Sequence, residues 1–304
     1  MKFLTYQYRM FGPRAGVLKE DRIVDLTDLL GARAVIGDIG ALLEQYSDPK
    51  AAVEAALAAK PEVQTLAQDE VRILAPVLRP RNIRDGSVFE RHVVAAGENN
   101  GVGTPPVWYK VPLYYYHNTS VVTGPEDSIR RKPGSTSLDY EAEVALVIGK
   151  EGTNLTDEKD ILDHIFGLTI YNDWSDRDMC TFEVGFLGLH KGKDFANGFG
   201  PYVVTMDEFM DRYRDGRLPL KVDAWVNDKH TTDSMTDDMY WTIPQLMARV
   251  TEDSVVSPGD IIGLGTVGRG CIYERPYELP YLADGDCVRI RIEGIGTLRQ
   301  YVAR

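Results

Sequence analysis

The stretch Leu138-Asp139-Tyr140-Glu141-Ala142-Glu143-Val144-Ala145-Leu146-Val147-Ile148-Gly149 constrains this chain more than any other, because it has the pattern of a buried strand with acids at core positions. Side chains of a strand alternate between faces, so Glu141 and Glu143 share a face, roughly 7 Å apart, with Ala145 and Val147 continuing it. The opposite face, Tyr140, Ala142, Val144, Leu146 and Ile148, is apolar throughout. An edge strand with one solvated face would tolerate the acids, but a strand apolar on both sides is normally covered on both sides. At an effective dielectric near 20, two carboxylates at that distance repel by roughly 2.4 kcal/mol, and burial adds a desolvation penalty to each. A positive partner is required, and the pattern points to a metal ion.

The net charge of −12 argues against nucleic acid as a partner, since phosphate-backbone binding needs a basic surface. Residues Met1 to Met10 hold no apolar signal core, and no run of about 18 apolar residues occurs, so the expectation is a soluble, cytoplasmic protein with no membrane span. Its three cysteines, Cys180, Cys271 and Cys287, are scattered and odd in number, which fits reduced thiols rather than a disulfide framework.

Residues 1–78 read as a small N-terminal α/β domain. Phe3 to Tyr8, Gly16 to Leu18 and Ile23 to Leu26 form a strand meander. A helix capped by Asp38 runs through Tyr46, and Asp48-Pro49 opens an alanine-rich helix through Ala59. Val71 to Pro76 is a strand leading out, and a boundary near Arg79-Pro80 opens a second domain, residues 79–304. That domain begins with a helix expected after Asp85, on which His92 falls two turns later, on the same side. Thr156 is expected to cap a helix burying Ile161, Leu162, Ile165 and Phe166. Gly167 to Asp173 reads as a strand ending in an acid, followed by the polar segment Trp174 to Asp178. Gly192 to Pro201 reads as a glycine-rich loop presenting Lys193. The tail is mostly strands, with a Thr242-Ile243-Pro244-Gln245 capping box opening one helix. Gly263 to Gly268 satisfies a GxGxxG pattern after a strand. A dinucleotide site needs a helix to start there, whereas Arg269 to Pro276 reads as a strand stopped by proline.

Taken together, Asp85 with His92, the Glu141-x-Glu143 pair, Asn172-Asp173-Trp174-Ser175-x-Arg177-Asp178, Lys193 in Gly-Lys-Asp-Phe, and Pro258-Gly259-Asp260-Ile261-Ile262-Gly263-x-Gly265-Thr266-Val267 resemble the fumarylacetoacetate hydrolase family. The resemblance spans about residues 79 to 304 and implies an α+β, β-rich fold: a mixed β-roll catalytic domain, assembled as a homodimer, that holds one divalent cation. It implies Asp85, Glu141, Glu143 and Asp173 as metal ligands, His92 as base with Glu274 as its partner, Lys193 as a catalytic cation, and Arg177 and Thr266 as substrate contacts. All-carboxylate donors suit Mg²⁺, with Mn²⁺ or Ca²⁺ as alternatives, and no Cys/His cluster calls for zinc. The activity implied is hydrolysis of a carbon–carbon bond in a small anionic 2,4-dioxo acid, of the kind met in the catabolism of aromatic compounds. Isomerase, decarboxylase and dehydratase reactions of related 2-oxo acids remain open, since all run through a similar enolate. Two positions depart from fumarylacetoacetase itself: Ser87 stands for a tyrosine and Cys180 for a glutamine.

Overall fold

The computed structural model describes residues 1–183 and 188–303. Its frame is a twelve-stranded mixed sheet with Ala142–Ile148 near the middle. That strand pairs antiparallel on one side with Ile165–Asp173 and on the other with Ile261–Gly263. Ile261–Gly263 pairs parallel with Ile83–Gly86, which in turn pairs with Tyr114–Tyr116. Beyond Ile165–Asp173 lies Asn197–Thr205, and the N-terminal strand Lys2–Gln7 joins its far edge through Lys2 opposite Val204 and Phe3 opposite Val203. A second sheet of five strands, including Lys221–Val226, Cys287–Ile292 and Gly296–Val302, closes the roll.

The central strand is covered on both faces, as its composition requires. Tyr140, Ala142, Val144, Leu146 and Ile148 enter a core shared with the second sheet and with the helix Ile243–Thr251. Ala145 and Val147 enter another core with Tyr171, Phe199 and Ile261, packed under Ile39, Leu42, Leu43 and Val53 of the N-terminal helices. Edge exposure is therefore excluded as the explanation for the acids. They occupy the end of the face whose remainder is sealed by residues 1–78.

Caps form where short polar side chains precede helices: Asp38 accepts from Ala41 N, Asp48 from Ala51 N, and Thr242 and Gln245 make the reciprocal box. Several local expectations differ from the structure. Asp85 sits in the strand Ile83–Gly86, and the helix starts later, at Glu90–Asn99, because the Ser87 and Val88 amides bond laterally to Leu113 O and Leu264 O. The Glu158–His164 helix is capped by Asp157, not Thr156, and Ile165 and Phe166 belong to the next strand. The presumed loop around Lys193 is a single helical turn, His190–Lys193, running into a long strand from Asn197. The Leu138–Gly149 stretch is interrupted: Leu138–Asp139 pairs with Ser175–Asp176, and Glu141 makes only an isolated bridge to Cys271. Arg269 to Pro276 is no strand, since the amides of Ile272 and Tyr273 are drawn instead to the Asp139 carboxylate at 2.8 and 2.9 Å.

Candidate metal and substrate site

Sheet register brings the acids together. Asp85 lies opposite both Gly263 and Tyr115, Gly263 lies opposite Ala145, and Ala142 lies opposite Asn172, which sets Asp173 beside Glu141. Gly263 is the residue that allows the convergence. A Cβ there would stand 2.1 Å from Asp85 Oδ1 and 3.2 Å from Glu143 Oε2, so only a residue without a side chain leaves the space between these carboxylates open. Gly263→Ala is expected to fold, through displacement of the Asp85 side chain, but to bind Mn²⁺ at least about 10-fold more weakly by calorimetry. Unchanged affinity would show that the pocket between Asp85 and Glu143 is not where a cation sits.

One oxygen each from Glu141, Glu143 and Asp173 lies within 4.8 Å of the others, all three residues being buried. Their partners are unequal. Glu141 Oε1 accepts from Arg177 Nη2 at 2.7 Å, and Glu141 Oε2 accepts from Lys193, which also reaches Asp173 Oδ2 at 2.5 Å. Burial alone would raise the pKa of Glu141, but Lys193, Arg177 and His92 outweigh it and hold the carboxyl well below its usual range. Among the described residues, no cation forms an ion pair with Asp85 or Glu143. Burial, reinforced by Asp173, pushes Asp85 up to about 7, and burial with Asp85 and Asp173 pushes Glu143 well above its ordinary value. Among the described residues, no donor group reaches Asp85 Oδ1, Glu143 Oε2 or Asp173 Oδ1, and Asp85 and Glu143 can be joined only by a proton shared between their carboxyls. Buried hard oxygens gathered from these acids, with too few donors among them, fit a divalent cation of the Mg²⁺, Mn²⁺ or Ca²⁺ kind.

Residues invisible to motif reasoning complete the site. The Tyr115 hydroxyl stands 3.0 Å from both Asp85 Oδ2 and Asp173 Oδ2, and its single proton can serve only one of them at a time. His117 Nε2 lies 3.6 Å from Asp173 Oδ2, and Asp85, His117 and Asp173 form a second convergent triad sharing two carboxylates with the first set. Asp139, fully buried, accepts from Arg177 Nε and Nη2 at 2.9 and 2.8 Å and so fixes the guanidinium against Glu141. The only sequence signal for Tyr115 and His117 was the Tyr-Tyr-Tyr-His run, and their role depends on pairing with a strand 30 residues earlier, at Asp85.

The remaining expected residues lie around the same acids, with Glu274 behind His92. His92, on the Glu90–Asn99 helix, has Nδ1 3.0 Å from Glu274 Oε1 and Nε2 3.9 Å from Glu141 Oε1. Glu274 is held by the amides of Arg269 and Gly270. A carboxylate can only accept, so the His92 proton sits on Nδ1 and Nε2 keeps its lone pair. Burial lowers the His92 pKa, but Glu274 and then Glu141 more than offset this and raise it. Burial would raise Glu274, but His92 draws it below its usual value. Thr266 Oγ1 donates to Glu143 Oε1 at 3.1 Å, steadying that carboxylate. Arg177, Lys193, Thr266, His92, Asp85 and Glu141 all line one cavity of about 290 Å³.

The Fumarylacetoacetate (FAA) hydrolase C-terminal family profile matches residues 81–303. The chain belongs to the fumarylacetoacetate hydrolase family. It is 32% identical over 240 residues to the oxaloacetate tautomerase of Bacillus subtilis (strain 168), covering 77% of this chain and 73% of that protein. The maleylpyruvate hydrolase of Sphingobium sp. SYK-6, solved with manganese(II) and pyruvate, superposes with a TM-score of 0.75 at 25% identity, covering 100% of this chain and 99% of that one. The fumarylacetoacetate hydrolase of the psychrophile Exiguobacterium antarcticum gives a TM-score of 0.77 at 26% identity, with 100% of both chains covered. This is a family of enzymes, and its hydrolases and tautomerase share the fold described here. Among the described residues, no helix is long and apolar enough to cross a membrane.

Proposed function

We propose that this protein is a divalent-metal-dependent hydrolase that cleaves the carbon–carbon bond between the two carbonyls of a small 2,4-dioxo acid. The observation carrying this reading is a base beside a cluster of buried acids: His92, Asp85 and Glu141 line one cavity, and Glu143 and Asp173 converge on Glu141 behind it. Asp85, Glu141, Glu143 and Asp173 would hold the cation, taken as Mg²⁺ with Mn²⁺ or Ca²⁺ as substitutes. Bound there, it would supply Lewis acidity toward a substrate carbonyl oxygen. His92 Nε2 takes a proton from the water that attacks the acyl carbonyl, while Glu274 keeps Nδ1 protonated and stabilises the imidazolium. The carbon–carbon bond then breaks with its electron pair on the pyruvate side, and His92 H⁺ returns the proton to that carbon. Arg177 Nη1 makes no hydrogen bond among the described residues and is available to the substrate carboxylate, and Thr266 borders the same space. Lys193, held by two carboxylates, adds positive charge where charge develops on oxygen.

A second reading is favoured by the Bacillus subtilis relative, a tautomerase: His92 would then only move a proton between carbon and oxygen, with no water attack. Measuring both chromophore and product separates the two. With 2,4-dioxopentanoate and Mg²⁺, loss of the enol ultraviolet band should be matched one-for-one by pyruvate, and neutral pentane-2,4-dione should react at least about 100-fold more slowly in kcat/KM. Band loss without pyruvate would convert the assignment to tautomerase. Equal cleavage of the neutral dione would remove Arg177 from substrate recognition.

A further inference from the structure

The cavity has two chemically different ends. Every ionisable acid, the imidazole and both cations among its described lining residues belong to the carboxylate end: Asp85, His92, Glu141, Arg177 and Lys193, tied to one another as described above. From there the cavity follows the Glu90–Asn99 helix, whose His92, Val93 and Ala96 line it together with Asn100 just past its end. At about 1.5 Å per residue, Ala96 and Asn100 lie about 6 and 12 Å further along the axis than His92. Phe89, Val102, Pro105, Trp108 and Leu113 form the rest of this arm, with Val102 exposed at 71%.

Two polar groups of the arm are already engaged. Trp108 Nε1 donates to Ser87 O at 2.7 Å, so its indole offers only an apolar surface. Asn100 Oδ1 accepts from the Tyr273 hydroxyl at 2.6 Å. A carboxylate held beside Val93, Ala96 and Trp108 would lose hydration and meet no cation among the described lining residues there, which is costly. An alkyl or aryl group would be favourably buried.

We infer that the substrates of this site are 2,4-dioxo acids whose acyl group is apolar and uncharged, with the Val93, Ala96 and Trp108 arm as the specificity element that rejects a second, distal carboxylate. This rests on the proposed 2-oxo-acid chemistry at the carboxylate end, and binding measurements can separate the two claims without turnover. The ligands are pyruvate, 2-oxohexanoate and 2-oxoadipate, titrated calorimetrically into the Mn²⁺-loaded protein. The last two have the same chain length and differ only in a terminal methyl or carboxylate.

2-Oxohexanoate should bind at least about 10-fold more tightly than pyruvate, since each buried methylene contributes up to about fourfold. 2-Oxoadipate should bind at least about 10-fold more weakly than 2-oxohexanoate. Ala96→Phe, which fills the arm, should abolish the gain of 2-oxohexanoate while leaving the pyruvate dissociation constant within about twofold. Val93→Lys, which supplies a cation, should strengthen 2-oxoadipate binding at least about 10-fold. The inference is overturned if pyruvate binds but 2-oxoadipate matches or exceeds 2-oxohexanoate, or if Ala96→Phe leaves chain-length dependence intact. Binding of none of the three acids would defeat the 2-oxo-acid reading of the carboxylate end, and this inference with it.

Discussion

Replacing Glu143 with alanine is expected to abolish turnover and to weaken Mg²⁺ or Mn²⁺ binding by at least about 100-fold, a loss as large as or larger than that for residues that merely orient ligands. Glu143 is fully buried and accepts from Thr266, and among the described residues no donor group reaches its Oε2. Glu141, by contrast, is already neutralised by Lys193 and Arg177. The cation should therefore depend more steeply on Glu143 and Asp85 than on Glu141. The same arrangement has a thermodynamic signature. Asp85 is raised to about 7 by burial and by Asp173, so in the absence of cation the folded state holds a proton that the unfolded chain releases near its ordinary value. A carboxyl raised in the fold favours folding at low pH and loses that advantage as pH rises through its folded value. In chelator, stability should thus fall between about pH 4 and pH 7. Saturating Mn²⁺ should flatten the slope and raise the melting temperature, an effect absent in Glu143→Ala. A wild type whose melting temperature ignores both chelator and Mn²⁺, or which keeps full activity after chelation, would sink the metal assignment.

The gathering of buried acids was largely legible in the sequence, because acids inside an apolar strand pattern conflict with local rules in a way that few structural roles relieve. Glu141 and Glu143 stood out for that reason, and the sheet places Asp85 and Asp173 against them. What stayed hidden was lateral. Tyr115 and His117 reach the acids through strand pairing and curvature, which leave no periodic trace, and Asp139 becomes the anchor of Arg177 only because a turn folds Ile272 and Tyr273 onto it. The helix expected after Asp85 does follow it, but its start is displaced to Glu90 because the Ser87 and Val88 amides bond to neighbouring segments, which no local pattern records. Gly263 shows the converse: it belongs to a GxGxxG pattern that the sequence reading set aside as a phosphate loop, and its place in the fold is to leave room between two carboxylates.

His92→Ala should lower kcat by about 10²- to 10⁴-fold, the usual cost of removing a general base, while retaining the cation, since no ligand oxygen is lost with it. Retention matters because Nε2 is 3.9 Å from Glu141 Oε1, and a purely structural role would show up as weakened Mn²⁺ binding instead. The partner variant is more informative still. Glu274 is the main influence raising the His92 pKa against the lowering effect of burial. With the base active only when neutral, the acid limb of kcat/KM in the wild type should lie above the ordinary histidine value near 6.5. Glu274→Gln keeps the shape of the side chain but removes the charge, leaving burial to pull His92 down, so the acid limb should move to lower pH. Its amide can present an N–H to Nδ1, which favours the tautomer with the lone pair on Nδ1 and the proton on Nε2, the nitrogen that must act as base. The variant should therefore lose at least about 100-fold in kcat at every pH even as its profile shifts downward. A Glu274→Gln enzyme with wild-type kcat and an unmoved acid limb would show that the 3.0 Å contact only packs the helix, and the base would have to be sought elsewhere on the cavity wall.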